Sequence, residues 1–119
     1  MEEAVNLEEK LPKFYEHWSP KIVAEYNGNE IMLVKFQGEC PFRSNADTDD
    51  FFLILEGKMK MEDRNRKIQV GAGELFVVPK GVKHRPVAEK EVEVLLIEPK
   101  GEPNSGDSNE REPSLKNWI

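Results

Sequence analysis

The stretch Gly73–His84, GELFVVPKGVKH, restricts the fold of this chain more than any other. Glu74 to Val78 is a short run of strand-favouring residues. Pro79-Lys80-Gly81 is turn chemistry: proline fixes its own φ, and glycine takes the positive φ that side chains resist. A second strand begins at Val82, and His84 follows three residues after the glycine. A histidine beside a turn at the rim of a sheet stands where a ligand or proton carrier would stand, although a structural role is commoner.

The rest of the chain repeats this rhythm. Lys21 to Tyr26 alternates, with Ile22, Ala24 and Tyr26 on one face, and Asn27-Gly28 is the strongest short hairpin signal. Glu30 to Gln37 is the predicted return strand, closed by Gly38. An irregular polar segment, Gly38 to Asp50, leads into the dense apolar run Phe51–Leu55, and Glu56-Gly57 ends it. Lys58 to Glu62 alternates cleanly, Lys67 to Val70 is a short strand, and Glu91 to Glu98 carries Val92, Val94 and Leu96 on one side. About eight or nine short strands spaced by Gly, Pro and Asn turns predict an all-β sandwich or barrel.

The two ends differ from this middle. In residues 1–19, an N-terminal arm, Asn6 has cap-like spacing to Glu9. Pro12 is better placed in the first turn of a short helix ending near Trp18, which puts Phe14, Tyr15 and Trp18 on one face. His17 is expected at the surface. Residues 20–100 form the barrel, and 101–119 an extended tail. Within the tail, residues 102–114 are almost devoid of apolar side chains, whereas Leu115, Trp118 and Ile119 are expected to dock on this barrel or on a neighbouring subunit.

Composition excludes several functions. A formal net charge of −6 argues against a nucleic-acid binder. The single cysteine, Cys40, permits no intrachain disulfide and fits a reducing compartment. No stretch approaches the roughly 20 apolar residues of a membrane span. The acidic start, MEEAVNLEEK, is unlike a signal peptide. The expectation is a cytoplasmic protein without membrane or nucleic-acid partners.

Two segments carry distinctive spacings. One runs Gly73, Pro79, Gly81, His84; the other runs Gly38, Arg43, Asn45, Asp50, Gly57. With phrases such as FFLILEGKMKM and GELFVVPKGVKHRPVA, residues 20 to 100 resemble the small single-domain cupins of the cupin-2 type. The resemblance implies a double-stranded β-helix, or jelly-roll, barrel. It also implies a homodimer, and a site in which two histidines and a glutamate of the first motif join a histidine of the second around a divalent metal. Here Arg43 and Asn45 stand at the two histidine positions, Asp50 stands at the glutamate, and only His84 matches.

That change alters the chemistry. Transition metals want imidazole or carboxylate ligands, asparagine oxygen is a weak neutral ligand, and arginine keeps its charge and offers no lone pair. The expectation is therefore a metal site largely given up, with no cofactor, and a pocket of Arg43, Asn45, Asp50 and His84 that binds a small anionic molecule. Arg43 is expected to pair with Asp50, or to receive a ligand carboxylate or phosphate in its forked donors. Phe52, Ile54 and Met59 are candidates to line the cavity. Two other readings stand beside this non-enzymatic one. In the first, Asp50 and His84 hold a metal in an isomerase, epimerase or dioxygenase acting on a sugar or small organic acid. In the second, the barrel is filled and the protein is an interaction module.

Overall fold

The computed structural model describes residues 1, 3–101 and 117–119. The N-terminal arm opens with a single helical turn, α1 (Leu7–Lys10), whose cap is Asn6: its side chain accepts from the Glu9 N–H. A 3-10 turn, Leu11–Lys13, follows with Pro12 at its start, and Phe14 is already extended. The helix expected to run on to Trp18 is thus shorter and begins earlier. Proline has no N–H to donate to an α-helical turn and its ring crowds the preceding one, so α1 stops there. Phe14, Tyr15 and Trp18 share no face. Phe14 is buried and Tyr15 is exposed. Trp18 stacks on Phe36, with ring centroids 4.4 Å apart.

Eight strands follow: β1 (Lys21–Tyr26), β2 (Asn29–Glu39), β3 (Asp50–Glu56), β4 (Lys58–Glu62), β5 (Lys67–Gly71), β6 (Leu75–Val78), β7 (Arg85–Pro99) and β8 (Asn117–Trp118). The β1–β2 hairpin turns through Asn27 (φ 49°) and Gly28 (φ 76°), the two positive values a tight primed turn requires. β7 is the axis of the fold. One edge pairs antiparallel with β2, from Asn29↔Pro99 to Glu39↔Val87. Its other edge pairs with β3 over Glu93–Ile97 and with β4 over Arg85–Val87. β1 and β8 extend the sheet beyond β2, β5 lies beyond β4, and β6 pairs with β3 alone. Folding around one long shared strand encloses an all-β core.

Two differences from the sequence reading concern continuity. The strand expected from Val82 and the one expected over Glu91–Glu98 are one element, β7, preceded by an isolated bridge between Arg43 and His84. Apart from Pro86, whose partner-facing side is tolerated near the strand start, no Gly or Pro interrupts the chain before Pro99. Gly38 does not close β2 either. With φ 83° it forms a register shift after Phe36, and the strand continues to Glu39.

The inward residues Met32, Val34, Phe36, Phe52, Ile54, Met59, Met61, Val92, Val94 and Leu96 form the main core. A second core lies outside the barrel, where Leu11 and Phe14 of the arm pack on Val23 and Leu33. It explains why β1 departs from simple alternation. Ile22 enters the inner core while Val23 is buried under the arm. Lys35 fastens the arm: its buried Nζ donates to the carbonyls of Leu11 and Phe14, each at 2.8 Å.

The chain's last residues dock on this barrel. β8 pairs parallel with β1, the Ile119 N–H donates to the Ile22 carbonyl, and Lys10 Nζ donates to the Ile119 carbonyl. Ile119 packs against the second core, while the Trp118 side chain stays exposed. Leu115 and the polar stretch 102–114 lie outside the described residues.

Candidate functional site

The loop 40–49 is folded onto the segment after β6. Arg43 and His84 exchange backbone hydrogen bonds of 3.0 and 2.9 Å, and the Gly81 N–H donates to the Asn45 carbonyl at 2.6 Å. The Lys80 N–H donates to Asp49 Oδ1 at 2.9 Å. Asn45, itself buried, shapes the loop from within: its Oδ1 accepts from the N–H groups of Asp47 and Thr48. These contacts bring Arg43, Asn45, Asp50 and His84 to the wall of one cavity, whose volume is about 40 Å³.

His84 is nearly fully buried and both of its ring nitrogens are engaged. Nδ1 lies 2.8 Å from the Val82 carbonyl, and Nε2 lies 2.9 Å from Asp50 Oδ2. A carbonyl only accepts, so Nδ1 carries a hydrogen, and a second proton is held between Nε2 and the carboxylate. The ring edge also meets Phe52, with centroids 6.2 Å apart.

The expected Arg43–Asp50 ion pair is not what forms. Asp50 is paired with His84, because β3 carries Asp50 inward at the point where the second segment delivers the imidazole. Arg43 is half-buried, lines the same cavity, and makes no side-chain ion pair or hydrogen bond among the described residues. Asn45 faces the cavity, but its oxygen is already committed to the loop. Of the apolar candidates, Phe52 is on the wall. Ile54 and Met59 are not: Ile54 follows Phe52 in the β3 alternation that starts at Asp50, Met59 is on β4, and both are packed in the main core.

Glu98, Trp18 and Pro20 are among the wall residues that escaped the sequence reading. Glu98 lies on β7, and the alternation Val92, Val94, Leu96 that marks the inward face continues to it. Trp18 comes from the arm and Pro20 from its junction with β1, and nothing in local periodicity foretells that this segment lines the cavity. Trp18 holds φ 62°, a left-handed conformation that costs a bulky residue on the order of 1–3 kcal/mol. It is kept there by its N–H donating to the Lys35 carbonyl and by its stack on Phe36. Its neighbour His17, expected at the surface, contacts Glu91 Oε2 through Nε2 at 2.7 Å.

A second, open groove of about 950 Å³ lies on the outer face of β4, β5 and β7. Its lining is charged and mixed in sign, including Glu39, Lys58, Lys60, Arg85 and Glu93, as a solvated sheet face is. Burial, followed by the neighbouring Glu56 charge, raises the pKa of Glu93.

Comparison with known proteins matches this geometry to one family. The Cupin_2 profile, a cupin domain, aligns with residues 30–98. A cupin-2 domain containing protein from Shewanella frigidimarina NCIMB 400 is 41% identical, with a TM-score of 0.79 over 81% of this chain and 94% of its own. Protein NMB1881 from Neisseria meningitidis is 31% identical, with a TM-score of 0.74 over 82% of this chain and 100% of its own. The uncharacterized protein YdbB of Bacillus subtilis (strain 168) is 28% identical over 87 residues, which are 64% of this chain and 77% of that protein.

Proposed function

This chain belongs to the Cupin_2 family of cupin domains, and on that premise we propose that it binds a small anion in the barrel mouth without a tightly held metal. The observation that carries this reading is Arg43. A fixed cation with forked donors lines a cavity that also carries two carboxylates, Glu98 and Asp50, the second of them already paired with His84. The donor set speaks against a resident transition metal. His84 has no free lone pair while Nδ1 faces a carbonyl and Nε2 faces Asp50, and Arg43 repels a cation from the same space. Among the described residues no three His, Cys, Asp or Glu side chains come together as a ligand group.

Isothermal titration of the chain with acetate tests the reading. Saturable binding that Arg43→Gln weakens at least about ten-fold is expected, and equal affinity in both proteins overturns it. The competing reading, a metal-dependent isomerase, epimerase or dioxygenase, requires bound metal. About one equivalent of a transition metal in protein purified without chelator would establish that reading in its place.

A homodimer fits the outer sheet surface. The registers Val77↔Phe51↔Ile97↔Ile31 and Leu75↔Leu53↔Leu95↔Leu33 make two apolar rows across β6, β3, β7 and β2. The arm covers the β2 end, whereas Leu75 and Val77 are exposed on β6, whose second edge pairs with no strand among the described residues. Val77→Lys should shift a dimer toward monomer in sedimentation velocity, and an unchanged dimer would exclude this face. A cytoplasmic setting accords with a lone cysteine. No helix among the described residues is long and apolar enough to cross a membrane.

A further inference from the structure

We propose that Trp18 is the residue that sets the size limit of the anion site, confining it to one- and two-carbon carboxylates such as formate and acetate. The proposal rests on the reading of the cavity as an anion site and adds which anions it admits. Size decides the class. A water-sized body needs about 10–15 Å³ of such space and a benzene ring needs about 150 Å³. The cavity's volume of about 40 Å³ therefore holds roughly three to four water-sized atoms, the number in formate or acetate, and no ring.

What closes the space is not barrel wall. Trp18 belongs to the arm and Pro20 joins it to β1, and both share the cavity lining with the polar side chains of Arg43, Asn45, Asp50, His84 and Glu98. The indole lies flat on Phe36, so it occupies the apolar plane that a ring-bearing ligand would use. The left-handed φ of Trp18 is a conformation few bulky residues adopt, and the surrounding contacts impose it: the Lys35 carbonyl, the Phe36 ring, and the His17–Glu91 contact one residue earlier. A carboxylate small enough to reach the Arg43 guanidinium leaves that stack intact. A benzoate-sized acid must displace it, and with the indole removed it could lay its ring on Phe36 while keeping its carboxylate on Arg43.

The test is titration of wild type, Trp18→Ala and Trp18→Leu with formate, acetate and benzoate by isothermal calorimetry. Trp18→Leu retains an apolar contact on Phe36 and serves if the alanine variant does not fold. Wild type is expected to bind formate and acetate and not benzoate. The Trp18 variants should bind benzoate at least about ten-fold tighter than wild type. In a Trp118→Phe background Trp18 is the sole indole, and its emission should stay unchanged on adding acetate. Benzoate binding equally to wild type and both variants overturns the assignment, as does acetate shifting the Trp18 emission to that of a solvated indole. If acetate binds through Arg43 but the size profile ignores Trp18, this inference alone falls. If no carboxylate binds wild type, the anion-site reading falls with it.

Discussion

The His84–Asp50 pair carries a prediction whose size can be worked from its burial. Removing one partner of a buried ion pair costs roughly 3–5 kcal/mol, mostly because the other charge is left stranded. Asp50 retains 17% of its side-chain exposure and His84 only 4%. After His84→Ala the stranded carboxylate recovers some water, so the expected loss is about 2–3 kcal/mol, toward or below the lower end of that range. Asp50→Ala strands the more deeply buried ring, which has the Val82 carbonyl as its remaining partner; a similar loss is expected. Asp50→Asn should be milder, about 1 kcal/mol, because a neutral ring can accept from the amide. Equilibrium urea unfolding of the two alanine variants and their double mutant reads the coupling directly. With a slope of about 2 kcal/mol/M for a chain of this size, each single variant moves the midpoint by roughly 1 M or more. The coupling energy should reach about 1.5 kcal/mol or more, within the range of residues in direct contact. A coupling below about 0.5 kcal/mol would refute the pairing, and a strong Arg43–Asp50 coupling in a parallel cycle would show that Asp50 had chosen the guanidinium instead.

Other perturbations test the frame around the site. At Gly57, φ is 89° and an added Cβ would meet the Glu91 carbonyl at 3.1 Å; Gly57→Ala should cost about 2 kcal/mol or more, from conformation and clash together. At Gly28 φ is 76° and nothing lies within 4 Å, so Gly28→Ala should cost only about 1 kcal/mol in the same urea titration. Lys35→Met removes two charge-assisted bonds to the arm and should cost about 3 kcal/mol. Hydrogen exchange should then show lost protection across the arm before the strands. Glu93 has its folded-state pKa raised, so the folded chain binds this proton more tightly than the unfolded one. Stability from it is present at acid pH and is lost as pH rises from the ordinary carboxyl value through the raised one. Glu93→Gln should therefore raise the thermal midpoint at pH 7 and change it little at pH 4.

The barrel was legible because its signals are local. Asn27-Gly28 demands a primed hairpin, Pro79-Lys80-Gly81 demands a turn, and Lys58–Glu62 alternates without exception. The run Phe51–Leu55, apolar at every position, is the body of β3. The site was legible only as a set of positions. Spacing brought Arg43, Asn45, Asp50 and His84 to one cavity wall, yet the partner of Asp50 depends on a few ångströms of loop placement that spacing does not encode. Asn45 shows the same gap. Read as a pocket residue, it spends its oxygen on the turn Asn45–Thr48. Replacing Arg43 and Asn45 with histidines, the direct way to build metal affinity here, would break that turn at the second position. Trp18 was out of reach because its burial comes from a contact with Phe36, eighteen residues on, and not from any period within the arm.

A cavity wall assembled from two distant segments needs something to hold residues 43–50 against 80–84. In the family pattern a metal shared between the two motifs would do so. Here the same segments are joined by the paired backbone bonds of Arg43 and His84, the Gly81–Asn45 bond, the Lys80–Asp49 bond and the His84–Asp50 pair. Three of these are backbone to backbone, so side-chain replacement leaves them in place. The last lies in a cavity wall with limited water and gains from that low-dielectric setting. With five independent ties, removing divalent metal should change nothing that depends on the loop. The thermal midpoint in excess EDTA should match that in added Mg²⁺, Mn²⁺ or Zn²⁺ within about 1 °C, a shift that at this chain length is only a few tenths of a kcal/mol. A tight ion at 100-fold over its dissociation constant would add about 2.7 kcal/mol, or roughly 10 °C. A rise of that size with one of these metals, absent in His84→Ala, would mean that His84 can leave Asp50 for a cation and that the ion pair is the resting state of a metal site.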